Sequence, residues 1–465
     1  MTAYRYEQDC LGEKKIPEDV YWGIHSLRAM ENFRLSDHKI DPMLIRAYGY
    51  VKKACCHVNA ELELIQQDKA AAIIKACDEM IEGKLNDSIV VDPFAGGAGT
   101  SVNMNVNEVI CNRALEFLGK KKGEHKYLDP IADVNLYQST NDTFPTAIKV
   151  ASLIYLKELE TELIQLHQVF MRKEKEFSSI VKIGRTEMQE AVPITLGMEF
   201  SGYAESFSQD RWRVFKARER LRTINLGATA VGTGLGAPRQ YIFMVTDVLK
   251  ILTGLNLCRA ENLVYPTQSV DSFCEASGIL KTSAANFIKI AKDIRLMASL
   301  KEIILPSLQA GSSIMPGKIN PVICEATIQV GLKCLSNDAL IGQICAMGTL
   351  EINEFLPLLS MSFLESLVLL KQITKSFSGF VDSIKADEKV CLDYLNNSSM
   401  IMTAFVPFIG YDKVGDLNKE YEKIKEKKDL SVREFLNEKL SKKMVEKILS
   451  AENLTKLGFD IEKDN

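Results

Sequence analysis

Between Thr146 and Ile183 the chain has neither proline nor glycine, and Leu156, Leu159, Leu163, Leu166 and Phe170 recur there at alternating spacings of three and four. That rhythm keeps one apolar stripe on one side of a long helix. Ahead of it, Asp142 reads as an N-cap, and Pro145 suits a first helical turn. The same reading predicts helices over about 194–223, 268–304, 322–347 and 353–377. Several exceed the roughly 20 residues of ordinary globular helices, which points to a bundle of long antiparallel rods. The helices over 268–304 and 322–347 carry apolar residues on more than one face, and a subunit interface is the simplest place for the second face. Residues 1–138 read as a small, mostly helical N-terminal domain of shorter helices and loops. Residues 139–396 form the central long-helix domain, and 397–465 a small C-terminal helical domain with a capping box at Ser431-Val432-Arg433-Glu434. The expected fold is mainly α.

Composition narrows the function classes. With 465 residues there is chain enough for a large core, and a net charge of −4 with both signs interspersed favours neither nucleic acid nor an acidic membrane as partner. The basic clusters, Lys120-Lys121-Lys122 and Lys423 to Lys428 with Glu426 inside it, read as solvated surface. Eleven cysteines, an odd number without Cys-x-x-Cys, fit reduced thiols better than a disulfide framework. The polar stretch Met1 to Lys15 is no signal peptide, and no apolar run reaches the roughly 18 residues of a membrane span. These features predict a soluble, cytoplasmic protein.

Candidate chemistry lies in four irregular strings between the helices. Gly96-Gly97-Ala98-Gly99-Thr100-Ser101-Val102-Asn103-Met104-Asn105 flows into a helix at about Val106, whose N-terminus offers amide donors and a positive dipole end to a carboxylate. Gln138-Ser139-Thr140-Asn141-Asp142 also precedes a helix. Gly184-Arg185-Thr186-Glu187-Met188-Gln189-Glu190-Ala191 is the third. The fourth, Gly311-Ser312-Ser313-Ile314-Met315-Pro316-Gly317-Lys318-Ile319-Asn320-Pro321, has too much glycine and proline for helix or strand. A lysine in such a loop suits an anion, with Ser312 or Ser313 beside it as nucleophile or base. It is not a P-loop: five residues separate Gly311 from Gly317, and Ile319 stands where a magnesium-binding hydroxyl belongs. None of the five histidines, His25, His38, His57, His125 and His167, falls in these strings, so neither a Ser-His-Asp triad nor a zinc site is indicated. Hydroxyls and amides dominate instead, an inventory that binds carboxylates without burying many charges.

The 311–321 string resembles the signature of the fumarase/aspartase superfamily, lyases that eliminate ammonia, water or an amine from succinyl-type substrates to leave fumarate. The resemblance runs from Tyr21-Trp22-Gly23-Ile24-His25 to Ile409-Gly410-Tyr411-Asp412. It implies a homotetramer with a helical core, active sites shared by three subunits, and no metal or organic cofactor. By that resemblance Ser312 is the catalytic base that takes the Cβ proton to give an aci-carboxylate. Lys318 and Asn320 hold a substrate carboxylate, and Thr100, Ser139, Thr140, Asn141 and Thr186 supply the other contacts. Glu325 matches a glutamate that partners an active-site histidine in the hydratases. Gly99-Thr100-Ser101, the Gln138–Asp142 string and His25 favour the aspartase branch, which eliminates ammonia from L-aspartate. Ile409–Lys413 is closer to the hydratase form, which keeps fumarate hydration, or a sister reaction on a modified aspartate, as the alternative. The sharpest departure is Glu187, where the superfamily carries histidine or glutamine. Its carboxylate would pair with a substrate ammonium group but repel a nearby carboxylate. It marks a contact to the ammonium end, a different amino substrate, or a carboxyl held protonated.

Overall fold

In the computed structural model, which describes residues 3–425 and 430–458, the apolar stripe becomes the buried side of a 37-residue helix, Thr140–Glu176. Leu156, Leu159, Leu163, Leu166 and Phe170 are all at most 1% exposed. The helix starts earlier than its apolar pattern, and the polar residues at its head explain why. Ser139 Oγ accepts the Asn141 amide at 3.2 Å, while Asp142 Oδ1 accepts the Ser139 amide at 3.0 Å. This reciprocal pair satisfies first-turn donors as a capping box does. Asp142 is therefore not the expected N-cap but closes the first turn from inside it. Pro145 lies inside the helix, where it cannot donate to the carbonyl of Asn141. Asn225 Nδ2 takes that donor's place at 3.0 Å.

The other long helices are Leu196–Leu221, Asp271–Ser299, Val322–Cys345 and Leu356–Asp382, so the fold is mainly α. Sheet is confined to four two-stranded pairs among the described residues. Two are hairpins that the sequence reading did not foresee: Tyr4–Asp9 with Gly12–Pro17, and Val181–Thr186 with Gln189–Thr195. The chain divides into two compact units, one of Met1–Thr161, Trp212–Ala285 and Val330–Gln372, the other of Glu162–Arg211, Asn286–Gln329 and Ile373–Asn465.

In the first unit the Pro42–Glu61 helix crosses the Gln67–Ile81 helix at Gly49, where a Cβ would lie 2.8 Å from Ile81. Glycine permits that close crossing. The second unit is organised by aromatic rings. Phe170 meets Phe207 at 5.3 Å, Phe207 meets Phe287 at 4.8 Å, and Phe177 meets Phe200 edge-on at 5.1 Å. A further apolar cluster in this unit gathers Ile183, Ile401, Phe405, Tyr421 and Phe435. The capping box at Ser431 and Glu434 is present as predicted. Residues 426–428 of the second basic cluster lie outside the described residues.

One expectation needs correction. Leu356–Asp382, with a mean hydropathy of 1.4 over 18 residues, is long and apolar enough to cross a membrane by length and composition. Yet 61% of that window is buried within the protein, Leu359, Phe363 and Leu367 completely, as in the core helix of a bundle. The eleven cysteines are all free, and Cys55 and Cys56 are buried.

Candidate active site

The first two strings meet in the first unit. Gly99 stands at the head of the Thr100–Phe117 helix with φ +95°, and a Cβ there would lie 2.3 Å from the Phe144 ring. Only glycine accommodates both the left-handed backbone and the ring. Because Gly99 brings no capping side chain, the helix N-terminus keeps its positive end open to an anion beside exposed Thr100. One turn on, Asn103 joins the two strings: its Nδ2 donates to Thr140 Oγ1 at 3.2 Å, and its Oδ1 accepts from Thr143 Oγ1 at 3.3 Å. Thr140, as the acceptor, keeps its own hydroxyl proton to give to a ligand. Ser139 is in the same state, since its Oγ accepts from Asn141. The Asn141 side chain is partly committed, donating to the Ala230 carbonyl at 2.7 Å.

Behind these residues lies a buried polar layer that sequence reasoning missed. Asp142 accepts the amides of Gly227 and Thr229, each at 3.1 Å, and burial pushes its carboxyl up to about 7. Lys52 sends Nζ to Asn135 Oδ1 at 2.9 Å and Gln138 Oε1 at 2.8 Å, and burial pushes its ammonium down to about 8. In the sequence Lys52 is one of two adjacent lysines, and nothing local distinguishes it from Lys53, which pairs with Asp78.

In the second unit the 311–321 string is a closed loop. The Gly311 amide donates to the Lys318 carbonyl at 2.7 Å, and Asn320 Nδ2 donates to the Gly311 carbonyl at 2.8 Å. A Cβ on Gly311 would lie 2.6 Å from the Lys318 oxygen, so the closure requires glycine. Inside the loop Ser312 Oγ accepts the amides of Ile314 at 3.2 Å and Met315 at 2.9 Å. Ser313 makes no such contact and is exposed. Lys318 is exposed and has no ion-pair partner among the described residues, leaving its charge for a ligand. Asn320 spends one amide hydrogen on loop closure and retains its oxygen and second hydrogen. Glu325 faces Arg295 at 3.7 Å, both partly exposed.

The Thr186 string forms the tip of a hairpin, in which Thr186 pairs with Gln189 across Glu187 and Met188. Those two residues have φ of +52° and +63°. A two-residue turn with both φ positive ordinarily takes Asn-Gly. Non-glycine residues held there carry strain of about 1–3 kcal/mol each, a pattern concentrated at functional positions. Among the described residues no hydrogen bond or ion pair links Thr186 or Glu187 to the Ser312 loop. A buried carboxylate instead ties the first strand of the hairpin to the segment that leads into the loop: Glu302 pairs with Arg185 at 2.5 Å and Lys182 at 3.0 Å. No group of three or more His, Cys, Asp or Glu is placed to hold a metal among the described residues.

Residues 12–335 match a family described as lyase. An aspartate ammonia-lyase from a Bacillus species is 45% identical over 425 residues, 90% of this chain and 91% of the relative. The crystal structure of a fumarate lyase:delta crystallin from Brucella melitensis superposes with a TM-score of 0.92 at 40% identity, covering 97% of this chain and 99% of that one. A class II fumarase from Schistosoma mansoni gives 0.90 at 29% identity, over 97% of this chain and 98% of its own. The chain belongs to this lyase family, within the fumarase/aspartase superfamily.

Proposed function

We propose that the chain is an aspartate ammonia-lyase, a carbon–nitrogen lyase that interconverts L-aspartate with fumarate and ammonia. The observation that carries the reading is the closed loop in which Ser312 Oγ receives two backbone amides, from Ile314 and Met315, with Lys318 three residues beyond the second of them. A serine oxygen held by amide donors in this way is stabilised as the anion that a base must be. Ser312 takes the proton from Cβ, and the electron pair moves into the adjacent carboxylate as an aci-carboxylate dianion. Lys318 and Asn320 hold that carboxylate and oppose charge that develops only along the reaction. Collapse of the dianion forms the carbon–carbon double bond and expels ammonia from Cα. Thr100, Ser139, Thr140, Asn141 and Thr186 hold the rest of the substrate by hydroxyl and amide contacts.

The complete site belongs to a homotetramer in which three subunits supply the strings. Supporting this, Met198, Trp212, Phe215 and Leu332 on the long helices are 41–56% exposed in the single chain. Eleven free thiols suit a cytoplasmic setting.

The test is to incubate the protein separately with L-aspartate and L-malate and follow fumarate by its ultraviolet absorbance. Fumarate from aspartate and not malate is expected. Fumarate from malate alone would make the chain a hydratase. Silence on both would point to a modified aspartate and make Glu187 the place to look.

Glu187 is assigned to the substrate's ammonium end. It sits exposed at a strained turn, where a carboxylate is free to meet a cation. Glu187→Gln should raise the aspartate KM about tenfold, the worth of one ordinary charge-assisted contact, while leaving any malate dehydration within about twofold. Unchanged aspartate kinetics would sink the assignment.

A further inference from the structure

We propose that Lys52 is a positioning residue for the substrate-binding turn Ser139–Asn141, acting through the side-chain amides of Asn135, Gln138 and Asn103. The proposal rests on the reading of Thr140 and its neighbours as substrate contacts.

Lys52 is 1% exposed on the Pro42–Glu61 helix. Fully buried lysines are rare unless paired, yet both hydrogen-bond partners of its Nζ are neutral amide oxygens. Each partner leads toward the site. Gln138 immediately precedes Ser139, and its Nε2 is anchored on the Val134 carbonyl at 3.0 Å. Asn135 Oδ1 also accepts from Asn103 Nδ2 at 3.3 Å and Asn107 Nδ2 at 3.2 Å. Asn103 in turn donates to Thr140 Oγ1. The path therefore runs from the ammonium through Asn135 and Asn103 to the hydroxyl assigned to substrate. A second, shorter path reaches Ser139 through Gln138.

Backbone strain gives the network something to hold. Tyr137, between the two amides that Lys52 grips, has φ +61°. A tyrosine stays in the left-handed region only where its surroundings over-determine it. Here the clamp consists of Lys52 on Asn135 and Gln138, and of Asn135 Nδ2 on the Gln138 carbonyl at 3.1 Å. The choice of a cation also has a reason. The groups facing Lys52 are Tyr48 and Cys55 on its own helix, Cys77 on the Gln67–Ile81 helix and Asp142 on the Thr140–Glu176 helix. A buried positive charge behind hydroxyls that bind a dicarboxylate favours the anion as well as the turn.

Lys52→Met keeps the chain length and removes every donor. Measured on whichever dicarboxylate the wild type turns over, its KM should rise at least tenfold while kcat stays within about threefold. The turn holds ground state and transition state alike, whereas the base lies on another string. Combining it with Thr140→Ala separates positioning from mere folding. If Lys52 acts in part through Thr140, the double variant should be clearly less impaired than the product of the two single effects; effects that multiply in full would overturn the proposal. A folded Lys52→Met protein, judged by circular dichroism, with wild-type KM would overturn it too. Should Lys52→Met not fold, Asn103→Ala cuts the same path while sparing the lysine. It should show the same KM signature, and an unchanged KM would again overturn the proposal. Inactivity of the wild type on both aspartate and malate would count against the proposed function instead, before any variant is compared.

Discussion

Ser312→Ala is expected to lower kcat for aspartate about a thousandfold or more, with KM within about threefold of wild type. The fall has two sources. General-base catalysis contributes roughly 10²–10⁴-fold. The amides of Ile314 and Met315, which stabilise the serine oxygen as an anion, would have nothing left to act on. Hydrogen bonds to a charged group are worth about 1.5–3 kcal/mol each, so two of them account for much of what makes an alkoxide accessible. The loop itself should survive the substitution. Its closure is made by the Gly311 amide on Lys318 and by Asn320 on Gly311, and neither involves the serine side chain. A lost rate with an intact KM therefore reads as lost chemistry. Retention of more than about a tenth of wild-type kcat would remove Ser312 as the base. Ser313→Ala, which alters an exposed hydroxyl without amide contacts, serves as the matched control and should cost little.

Much of this site was legible in the sequence because its parts are local. Eleven consecutive residues carry the 311–321 loop, and the glycine that closes it and the serine inside it stand side by side. The stripe from Leu156 to Phe170 was equally plain, since a run without proline or glycine leaves periodicity as the only signal. What escaped was set by distant partners. Asp142 resembled an N-cap because Pro145 resembled a helix start. The proline is tolerated deeper in the helix only because Asn225, eighty residues on, satisfies the carbonyl of Asn141. The hairpin over 181–195 was hidden by its turn, where Glu187 and Met188 replace the residues that normally announce positive φ. Lys52 and Lys53 are adjacent lysines with opposite fates, one buried under the site and one on a surface pair. No window of sequence separates them, because the difference lies in what the helix packs against.

The same limit applies to Glu302, whose removal should have the largest effect on stability. Its side chain is 0% exposed and lies between Arg185 and Lys182, themselves only 13% and 3% exposed at the side chain. Glu302→Leu would leave Arg185, among the described residues, with only the Tyr394 ring, 5.2 Å away, and Lys182 with Glu199 at 2.9 Å. Breaking a buried pair from one side typically costs about 3–5 kcal/mol, because the abandoned charge stays desolvated. The expected result is a fall of about that size in unfolding free energy, read as a lower denaturant midpoint. Replacing all three charges together, as Lys182→Met, Arg185→Met and Glu302→Leu, should recover most of the loss, since well-packed apolar groups replace buried ion pairs at little cost. Activity should follow a different course. Arg185 adjoins Thr186, and Glu302 opens the Ile303–Ile304 strand that leads toward Gly311. The triple variant would thus keep the fold while losing the link between the hairpin that carries Glu187 and the approach to the Ser312 loop. If its turnover recovers along with its stability, the triad serves folding alone. If stability returns and turnover does not, the buried carboxylate sets the register between the two strings.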